Sequence, residues 1–253
     1  MSLSVSNAPA PAAEMPATGR GGAQRFRSFR VRYSDVNVAT SVGHACLFGD
    51  KRWGTNEAYG DADGSISFAV LYGLTMHVAY GLRHIGIQLS DVAYLDAGES
   101  CPGLAGLLGA LRAGCTVLLV GKELPPADRD RLIEQNRCRV VLTTRPETFA
   151  AVEGLDIFDL SQIDNLVLPK ELDWLMPRPL PDQTAIKVPD QRAGDGTAAE
   201  FGTWRGLRNR DLVGYLRGEK ASLHAAEMAN IPFHDALVRL VRSKSSANTI
   251  SGG

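Results

Sequence analysis

The stretch "DVAYLDAGESCPGLAGLLGALRAGCTVLLVG", residues 91–121, decides the fold class of this chain. Its first part, "DVAYLDA", is typical of a buried strand, and its last part, "CTVLLVG", is a near-continuous apolar run that also predicts a strand. Between them, "CPGLAGLLGALRAG" predicts a buried helix with Pro102 near its first turn. A strand, a helix and a second strand of these lengths indicate two parallel strands joined by a crossover helix.

The same alternation continues toward the C-terminus. There "PPADRDRLIEQNRC" predicts an amphipathic helix, "RVVLTT" a strand and "RPETFAAVEG" a further helix. Upstream, apolar residues three and four positions apart predict a long helix with one buried stripe, which Gly86 ends. The stripe consists of Leu71, Leu74, Val78, Leu82 and Ile85. We therefore expect an α/β fold, with a mostly parallel sheet and helices on both of its faces.

Composition divides the chain into three parts. Residues 1–24 are rich in Ala, Pro and Gly and are predicted to be a disordered tail, residues 25–242 form the α/β domain, and residues 243–253 are a flexible tail. No apolar run reaches roughly 18 residues, so no membrane span is predicted. The four cysteines form no C-x-x-C pair, which indicates reduced thiols and a cytoplasmic protein.

Charge and motif content exclude several classes of function. The 27 Lys and Arg residues are balanced by 28 Asp and Glu residues, so no strong field attracts nucleic acid. His77 and His84 lie at a spacing that allows one helix face, but the sequence places no third ligand beside them, and no metal site is predicted. Neither a nucleophile elbow nor a Cys/His pair can be assembled, so no catalytic residue is predicted.

A second stretch, "RAGDGTAAEFGTW" at residues 192–204, bears on function. It separates an apolar segment, Ala185–Val188, from a predicted helix, Asn209–Leu216. The order strand, small-residue loop, helix is typical of phosphate binding. Backbone amides near the start of the loop are suited to a weak anion-binding nest. These residues are Gly194, Asp195 and Gly196.

This loop holds no lysine. The earlier stretch "GESCPGLAGLLG" also follows a strand and opens a helix, but it lacks the terminal Gly-Lys of a P-loop, so its small residues indicate close packing of that helix instead. Near the C-terminus, "IPFHDAL" places His234 beside Asp235. From the residues alone, this pair predicts a turn before a helix at Ala236–Arg242.

Taken in order, these pieces resemble the opening half of an adenylate-forming (AMP-binding) enzyme, most similar to the fatty acyl-AMP ligases and the acyl-CoA synthetases. "GSISFAVLYGLTMHVAYGLRHIGIQLSDVAYL" is similar to the family's early strand, long helix and following strand. "CPGLAGLLGALRAGCTVLLV" resembles the next helix and strand, and "RCRVVLTT" resembles the strand after those. The resemblance runs from Phe29 to Leu240 and implies the N-terminal subdomain of such an enzyme, truncated before the family's later motifs.

The resemblance also implies a role for the glycine-containing loop. In the family, a Ser/Thr/Gly-rich loop ending in Pro-Lys-Gly wraps the phosphates of ATP. Here the resemblance places Thr197 on a loop threonine and Gly202 on the closing glycine, while Glu200 and Phe201 stand where the proline and the lysine belong. "GLRNRDL" then resembles the start of the family's next helix. ATP and magnesium are thus implied by the resemblance alone.

The stretch "PFHDAL" resembles the family's Pro-Leu-Phe-His-Asp-Met-Gly-Leu, whose aromatic ring and histidine line the acyl and nucleotide pocket. The resemblance therefore implies a substrate-binding role for Phe233, His234 and Asp235. It implies an acyl chain or an acyl adenylate as the ligand.

The altered loop leads to an expectation about activity. Asp195 and Glu200 each repel a triphosphate by about 1 kcal/mol when exposed, and Phe201 supplies no attraction. We expect a truncated ligase-like protein without independent adenylation, acting as a scaffold or partner in acyl activation or in polyketide or lipid biosynthesis. Half of a split ligase completed in trans, a non-catalytic acyl-binding module and an unrelated α/β protein remain alternatives. Apolar surface left uncovered in a truncated domain favours self-association or a protein partner.

Overall fold

The computed structural model describes residues 55–62, 64–120, 124–149, 154–165, 179–189, 204–216 and 231–247, together with residues 218, 223 and 228. All of them belong to the second of two compact units, Tyr33–Gly253. The predicted N-terminal tail lies outside the described residues, and so does the predicted phosphate loop.

Strands and helices alternate through the described part of the chain. The strands are β1 (Glu57–Asp61), β2 (Gly64–Ser67), β3 (Val92–Asp96), β4 (Thr116–Leu119), β5 (Cys138–Thr143), β6 (Asp156–Asp159), β7 (Thr184–Pro189) and β8 (Trp204–Arg208). The helices are α1 (Phe68–His84), α2 (Cys101–Ala113), α3 (Pro126–Gln135), α4 (Asn209–Leu216) and α5 (His234–Ala247).

A six-stranded sheet forms the centre of the fold, in the order β6-β5-β3-β4-β7-β8. Every neighbouring pair from β6 to β7 is parallel, whereas β7 and β8 are antiparallel. Strands β1 and β2 pair separately as an antiparallel hairpin. The predicted α/β fold with a mostly parallel sheet is confirmed.

Helices cover both faces of this sheet. Successive side chains of a strand point to opposite faces, so each strand contributes residues to the core on both sides. Ala93 and Leu95 of β3 belong to a first core cluster, which also holds apolar residues of α1, α2, α4 and α5. Tyr94, between them, belongs to a second core cluster with residues of α3. Both clusters are continuous across neighbouring strands, so the near-unbroken apolar runs of β3 and β4 follow from burial on two sides.

Local sequence signals explain where α1 and α2 begin and where α2 ends. The Ser67 hydroxyl accepts a hydrogen bond from the backbone N–H of Val70 at the start of α1, and the Ser100 hydroxyl does the same for Gly103 at the start of α2. A serine at this position satisfies one of the unpaired N–H groups of the first turn. Helix α2 ends at Ala113 and is capped by Gly114, which adopts the left-handed conformation with φ 88°.

Several elements differ from the sequence-based expectation. Ile85 was expected in the buried stripe of α1, but the helix ends at His84 and Ile85 is 42% exposed. The segment expected to be a helix after β5 contains a 3-10 helix at Pro146–Phe149, and residues 150–153 of that segment lie outside the described residues. Strand β8 was not predicted. It lies between the glycine-containing stretch and α4, where the helix was expected to follow the stretch directly.

Helix α5 also begins earlier and ends later than expected. His234 and Asp235 were expected to form a turn before a helix at residues 236–242, but they are the first two residues of α5. The helix continues to Ala247, past the expected start of the C-terminal tail at residue 243. Among the described residues, no helix combines the length and the apolar character needed to cross a lipid bilayer.

Candidate functional site

The carboxyl ends of β3, β4, β5 and β7 lie at one edge of the sheet, since these strands are parallel. After β3 the chain enters α2 on the face of the first core cluster, and after β4 it enters α3 on the opposite face. Ligands of open α/β sheets bind in the crevice where neighbouring connections leave to opposite faces. The carboxyl end of β3 is therefore the place where a ligand site is expected.

Glu99, in the loop between β3 and α2, connects this edge to two distant segments. Its carboxylate accepts a hydrogen bond from the backbone N–H of Phe233 at 2.7 Å. Its backbone carbonyl accepts a hydrogen bond from the Tyr59 hydroxyl of β1 at 3.0 Å. The β1–β2 hairpin, the β3–α2 loop and the start of α5 thus meet at Glu99.

Phe233 is held in a backbone conformation that a bulky residue seldom adopts, with φ 64°. Its ring is 3% exposed and belongs to the first core cluster. The space beside the ring depends on Gly103, because a Cβ atom at that position would lie 3.0 Å from Phe233 Cζ and closer still to the Gly98 carbonyl. Only glycine therefore fits at the start of α2 while the ring keeps its place.

His234 is bound at both ring nitrogens. The hydroxyl of Tyr215, on α4, lies 3.0 Å from His234 Nε2, and Asp235 Oδ1 lies 2.8 Å from His234 Nδ1. The His234 side chain is 18% exposed, whereas the Asp235 side chain is 102% exposed. The ring therefore has its Nε2 edge toward α4 and its Nδ1 edge toward the surface. Phe233, His234 and Asp235 are consecutive at the start of α5.

Negative charge gathers beside this site. The carboxylate of Asp61 accepts a hydrogen bond from the backbone N–H of Cys101, at the start of α2, at 2.6 Å. Burial raises the pKa of the Tyr59 hydroxyl, and the charges of Glu99 and Asp61 raise it further. Tyr59 is thus a neutral hydrogen-bond donor, and its hydroxyl is bound to the Glu99 carbonyl.

The residues predicted to bind phosphate lie outside the described part of the chain. They are Gly194, Asp195, Gly196, Thr197 and Gly202. The strands that flank them are described, and Pro189 of β7 is paired with Trp204 of β8. Because β7 is parallel to β4, this pair lies at the carboxyl edge of the sheet. The chain therefore leaves β7 and enters β8 at the edge that holds Glu99.

Arg205 is a cation that the sequence reasoning missed. It follows Trp204 in β8, so it lies next to the carboxyl edge. Trp204 packs against the second core cluster and Leu207 belongs to the first, and alternation therefore puts Arg205 on the same face as Leu207. Phe233 belongs to the core on that face as well. The sequence signal that points to Arg205 is the strand alternation just beyond the loop.

The described residues offer no group of three or more His, Cys, Asp or Glu side chains suited to hold a metal ion.

Comparison with known families and proteins gives a consistent result. The family described as AMP-binding enzyme matches residues 48–233. Malformin synthetase mlfA of Aspergillus tubingensis is 34% identical over 102 residues, which cover 39% of this chain and 2% of that protein. The mlfA protein of Aspergillus vadensis is 27% identical over 201 residues, which cover 75% of this chain and 4% of that protein. The chain thus spans a few per cent of the length of these relatives.

Solved structures share the fold. The nonribosomal peptide synthetase FmoA3 with α-methyl-L-serine-AMP has a TM-score of 0.60 at 17% identity, covering 72% of this chain and 19% of that chain. VinN has a TM-score of 0.61 at 11% identity, covering 82% and 57%. The N-terminal subdomain of Klebsiella oxytoca NpsA with anthranilyl-AMSN has a TM-score of 0.56 at 12% identity, covering 78% and 44%. None of these relatives or structures is described as a fatty acyl-AMP ligase, and closeness to that group stays a prediction.

Proposed function

This chain belongs to the AMP-binding enzyme family, since the family match at residues 48–233 spans more than half of it, and we propose that it binds an adenylated carboxylic acid without forming the adenylate on its own. The main support for binding is the hydrogen bond of 2.7 Å between Glu99 and the Phe233 N–H. This bond fixes Phe233 and His234 at the carboxyl end of β3, where α/β sheets bind ligands.

On the acyl side, we propose that Phe233, His234 and Asp235 line the pocket. Phe233 is buried in the first core cluster and would form the apolar wall beneath the site, and His234 supplies a polar group with one edge toward the surface. An apolar wall with a few convergent polar groups is typical of small-molecule sites. The Glu99 carboxylate holds the turn that brings these side chains together.

On the phosphate side, the loop is proposed to be too acidic for a triphosphate. Adenylation needs cations and backbone amides to neutralise the departing pyrophosphate. Asp195 and Glu200 oppose this charge by about 1 kcal/mol each when exposed, and Phe201 is uncharged. A single phosphate, as in an acyl adenylate, carries less charge and is proposed to contact the loop weakly. The loop residues meant are Gly194, Asp195, Gly196, Thr197 and Gly202.

We propose an amino acid or an aromatic acid, ahead of a fatty acid, as the acyl part of the ligand. The structural neighbours support this order, because they include complexes with α-methyl-L-serine-AMP, 3-methylaspartate and anthranoyl-AMP. The carboxylates of Asp61 and Glu99 beside the site also favour a ligand that carries an amino group. A fatty acyl adenylate is the alternative ligand.

A ligand-binding chain without turnover would act with other proteins. We propose a role as a scaffold or partner in a pathway that activates carboxylic acids, such as peptide or polyketide assembly. Fold alone does not fix this role. The main reason for it is that the proposed acyl pocket is combined with an acidic phosphate loop, which favours binding over turnover.

Two measurements on the full chain test the proposal. ATP–pyrophosphate exchange with amino, aromatic and fatty acids is expected to stay at the no-protein background. Thermal shift with anthranilyl-AMSN is expected to raise Tm, and the shift is expected to disappear in His234→Ala. The matched control is His84→Ala, since His84 stacks on Tyr80 at the end of α1, away from the site. Exchange above background, or an unchanged shift in His234→Ala, would contradict the proposal.

Arg205 supports a second candidate function, half of an adenylating enzyme completed in trans. Its position beside the carboxyl edge, on the face that contains Phe233, allows it to replace the missing loop lysine as the cation for a phosphate. Pyrophosphate exchange that appears on mixing with a separate C-terminal domain of the same family, and that is lost in Arg205→Gln, would establish this function.

A further inference from the structure

We infer that Tyr215 is a positioning residue: it orients the imidazole of His234 so that the Nδ1–H of the ring is presented at the surface, to an oxygen acceptor of the ligand. The inference rests on the proposed function, because His234 is the residue proposed to meet the acyl part. It adds which nitrogen makes the contact and which chemical group receives it.

The hydrogen bonds determine which nitrogen carries the proton. Asp235 Oδ1 lies 2.8 Å from His234 Nδ1, and a carboxylate oxygen can only accept, so Nδ1 must carry the hydrogen. In the neutral ring Nε2 is then an acceptor. The Tyr215 hydroxyl, 3.0 Å from Nε2, is therefore the donor in that bond.

The two bonds differ in how firmly they hold the ring. The Asp235 side chain is 102% exposed, so water competes for its bond to Nδ1. Tyr215 instead packs against the first core cluster, and its ring centroid lies 5.9 Å from that of His234. The orientation of the imidazole therefore depends chiefly on Tyr215.

The outward Nδ1–H selects the chemistry of the ligand. A group that replaces Asp235 at this position must accept a hydrogen bond, as a carboxylate, carbonyl or sulfamate oxygen does. A group that can only donate, such as an ammonium, finds no partner at Nδ1. The acyl or sulfamate oxygen of an adenylate analogue thus fits at His234, while an amino group of the ligand would be bound by the carboxylates near β1.

The test compares Tyr215→Phe with Tyr80→Phe, a matched variant because Tyr80 stacks on His84 with ring centroids 6.1 Å apart and lies on α1. One readout is the tautomer of His234, from the long-range 15N–1H spectrum in mildly alkaline buffer. The other is the Kd for anthranilyl-AMSN by calorimetry. Urea midpoints verify that both variants are folded.

Wild type and Tyr80→Phe are expected to show the Nδ1–H form and equal affinity. Tyr215→Phe is expected to show a mixture of tautomers and a Kd about five- to tenfold higher, the effect of one hydrogen bond. An unchanged tautomer, or a changed tautomer with an unchanged Kd, would overturn the inference. The wild type could fail to bind any adenylate analogue while Tyr215→Phe still shifts the tautomer of His234. That outcome would refute the proposed function and the ligand contact, but it would leave the role of Tyr215 in orienting the ring.

Discussion

The carboxylate of Glu99 binds the backbone N–H of Phe233 at 2.7 Å across a separation of 134 residues. Phe233 has a positive φ of 64°, a conformation that costs a bulky residue of the order of 1–3 kcal/mol. The bond stabilises this turn, and the turn places Phe233 in the core and His234 beside Tyr215. One side chain of the β3–α2 loop therefore fixes the geometry of the proposed acyl site.

Glu99→Ala is expected to lower the free energy of unfolding by about 1–3 kcal/mol, because it leaves the Phe233 N–H without its acceptor. Glu99→Gln keeps an acceptor oxygen at the same distance along the side chain and is expected to lose less than half as much. Urea unfolding of the two variants checks this. Equal losses in the two variants would show that the charge of Glu99, not its hydrogen bond, stabilises the turn.

Close packing of α1 against α2 depends on Gly109. A Cβ atom there would collide with the side chain of Val78 and the backbone carbonyl of Thr75. Gly109→Ala is therefore expected to destabilise the fold by about 1–3 kcal/mol. Gly73→Ala is the matched control, because a Cβ atom at Gly73 meets nothing within 4 Å, and it should stabilise α1 by about 0.5–1 kcal/mol. The same sign of change in both variants, measured by urea unfolding, would contradict the packing.

Burial gives Cys115 a distinctive effect on stability at high pH. Burial raises the pKa of this thiol from 9.0 to about 12, with a smaller contribution from Asp91. Below pH 9 both the folded and the unfolded states keep the proton, whereas between 9 and about 12 only the unfolded thiol loses it. This contribution to stability is therefore lost as pH rises, by about 1.4 kcal/mol per pH unit.

Cys115→Ala removes the titrating thiol, so the free energy of unfolding of this variant is expected to fall less steeply with pH over the same range. Cys138 remains in both proteins, and burial raises its pKa to about 12 as well, so only the difference between the two slopes reports on Cys115. The free energy of unfolding is measured by guanidinium titrations at several pH values. Equal slopes of this free energy against pH for wild type and Cys115→Ala would show that burial does not keep the Cys115 thiol protonated.

Arg205 is expected to attract the phosphate of a nucleotide from its position on β8. Arg205→Gln should weaken AMP binding about three- to tenfold at low salt, with a smaller effect at high salt. Arg131→Gln is the control, because Arg131 is an exposed residue of α3, on the opposite face of the sheet. Equal AMP affinities of the two variants by calorimetry would exclude Arg205 as a phosphate contact.

Strong local patterns made the centre of the fold predictable. The segments of β3, α2 and β4 are rich in apolar residues, and α2 has a cap at each end. The predicted strand, helix and strand are all present. Strand β8 was missed because "WRGLR" mixes arginines with a glycine, and its pairing with β7 is a tertiary contact. The end of α1 was misjudged at Ile85, where the chain turns at Gly86 with φ 90° and the buried stripe stops.

The site was only partly readable from sequence. Phe233, His234 and Asp235 follow from one short motif and a family resemblance. Glu99, Tyr59 and Tyr215 have no local signal, because each contributes through a partner far away in the sequence. Such long-range partners are fixed by the strand order of the sheet, which the pattern of single elements does not contain.

The most direct test of the account is a pair of calorimetric titrations of the full chain, one with anthranilyl-AMSN and one with ATP and magnesium. If the acyl pocket binds ligand and the loop does not hold a triphosphate, the adenylate analogue binds measurably. The Kd for ATP is then expected to lie above about 1 mM, which corresponds to a binding free energy weaker than about 4 kcal/mol. ATP bound as tightly as the analogue would contradict the central claim.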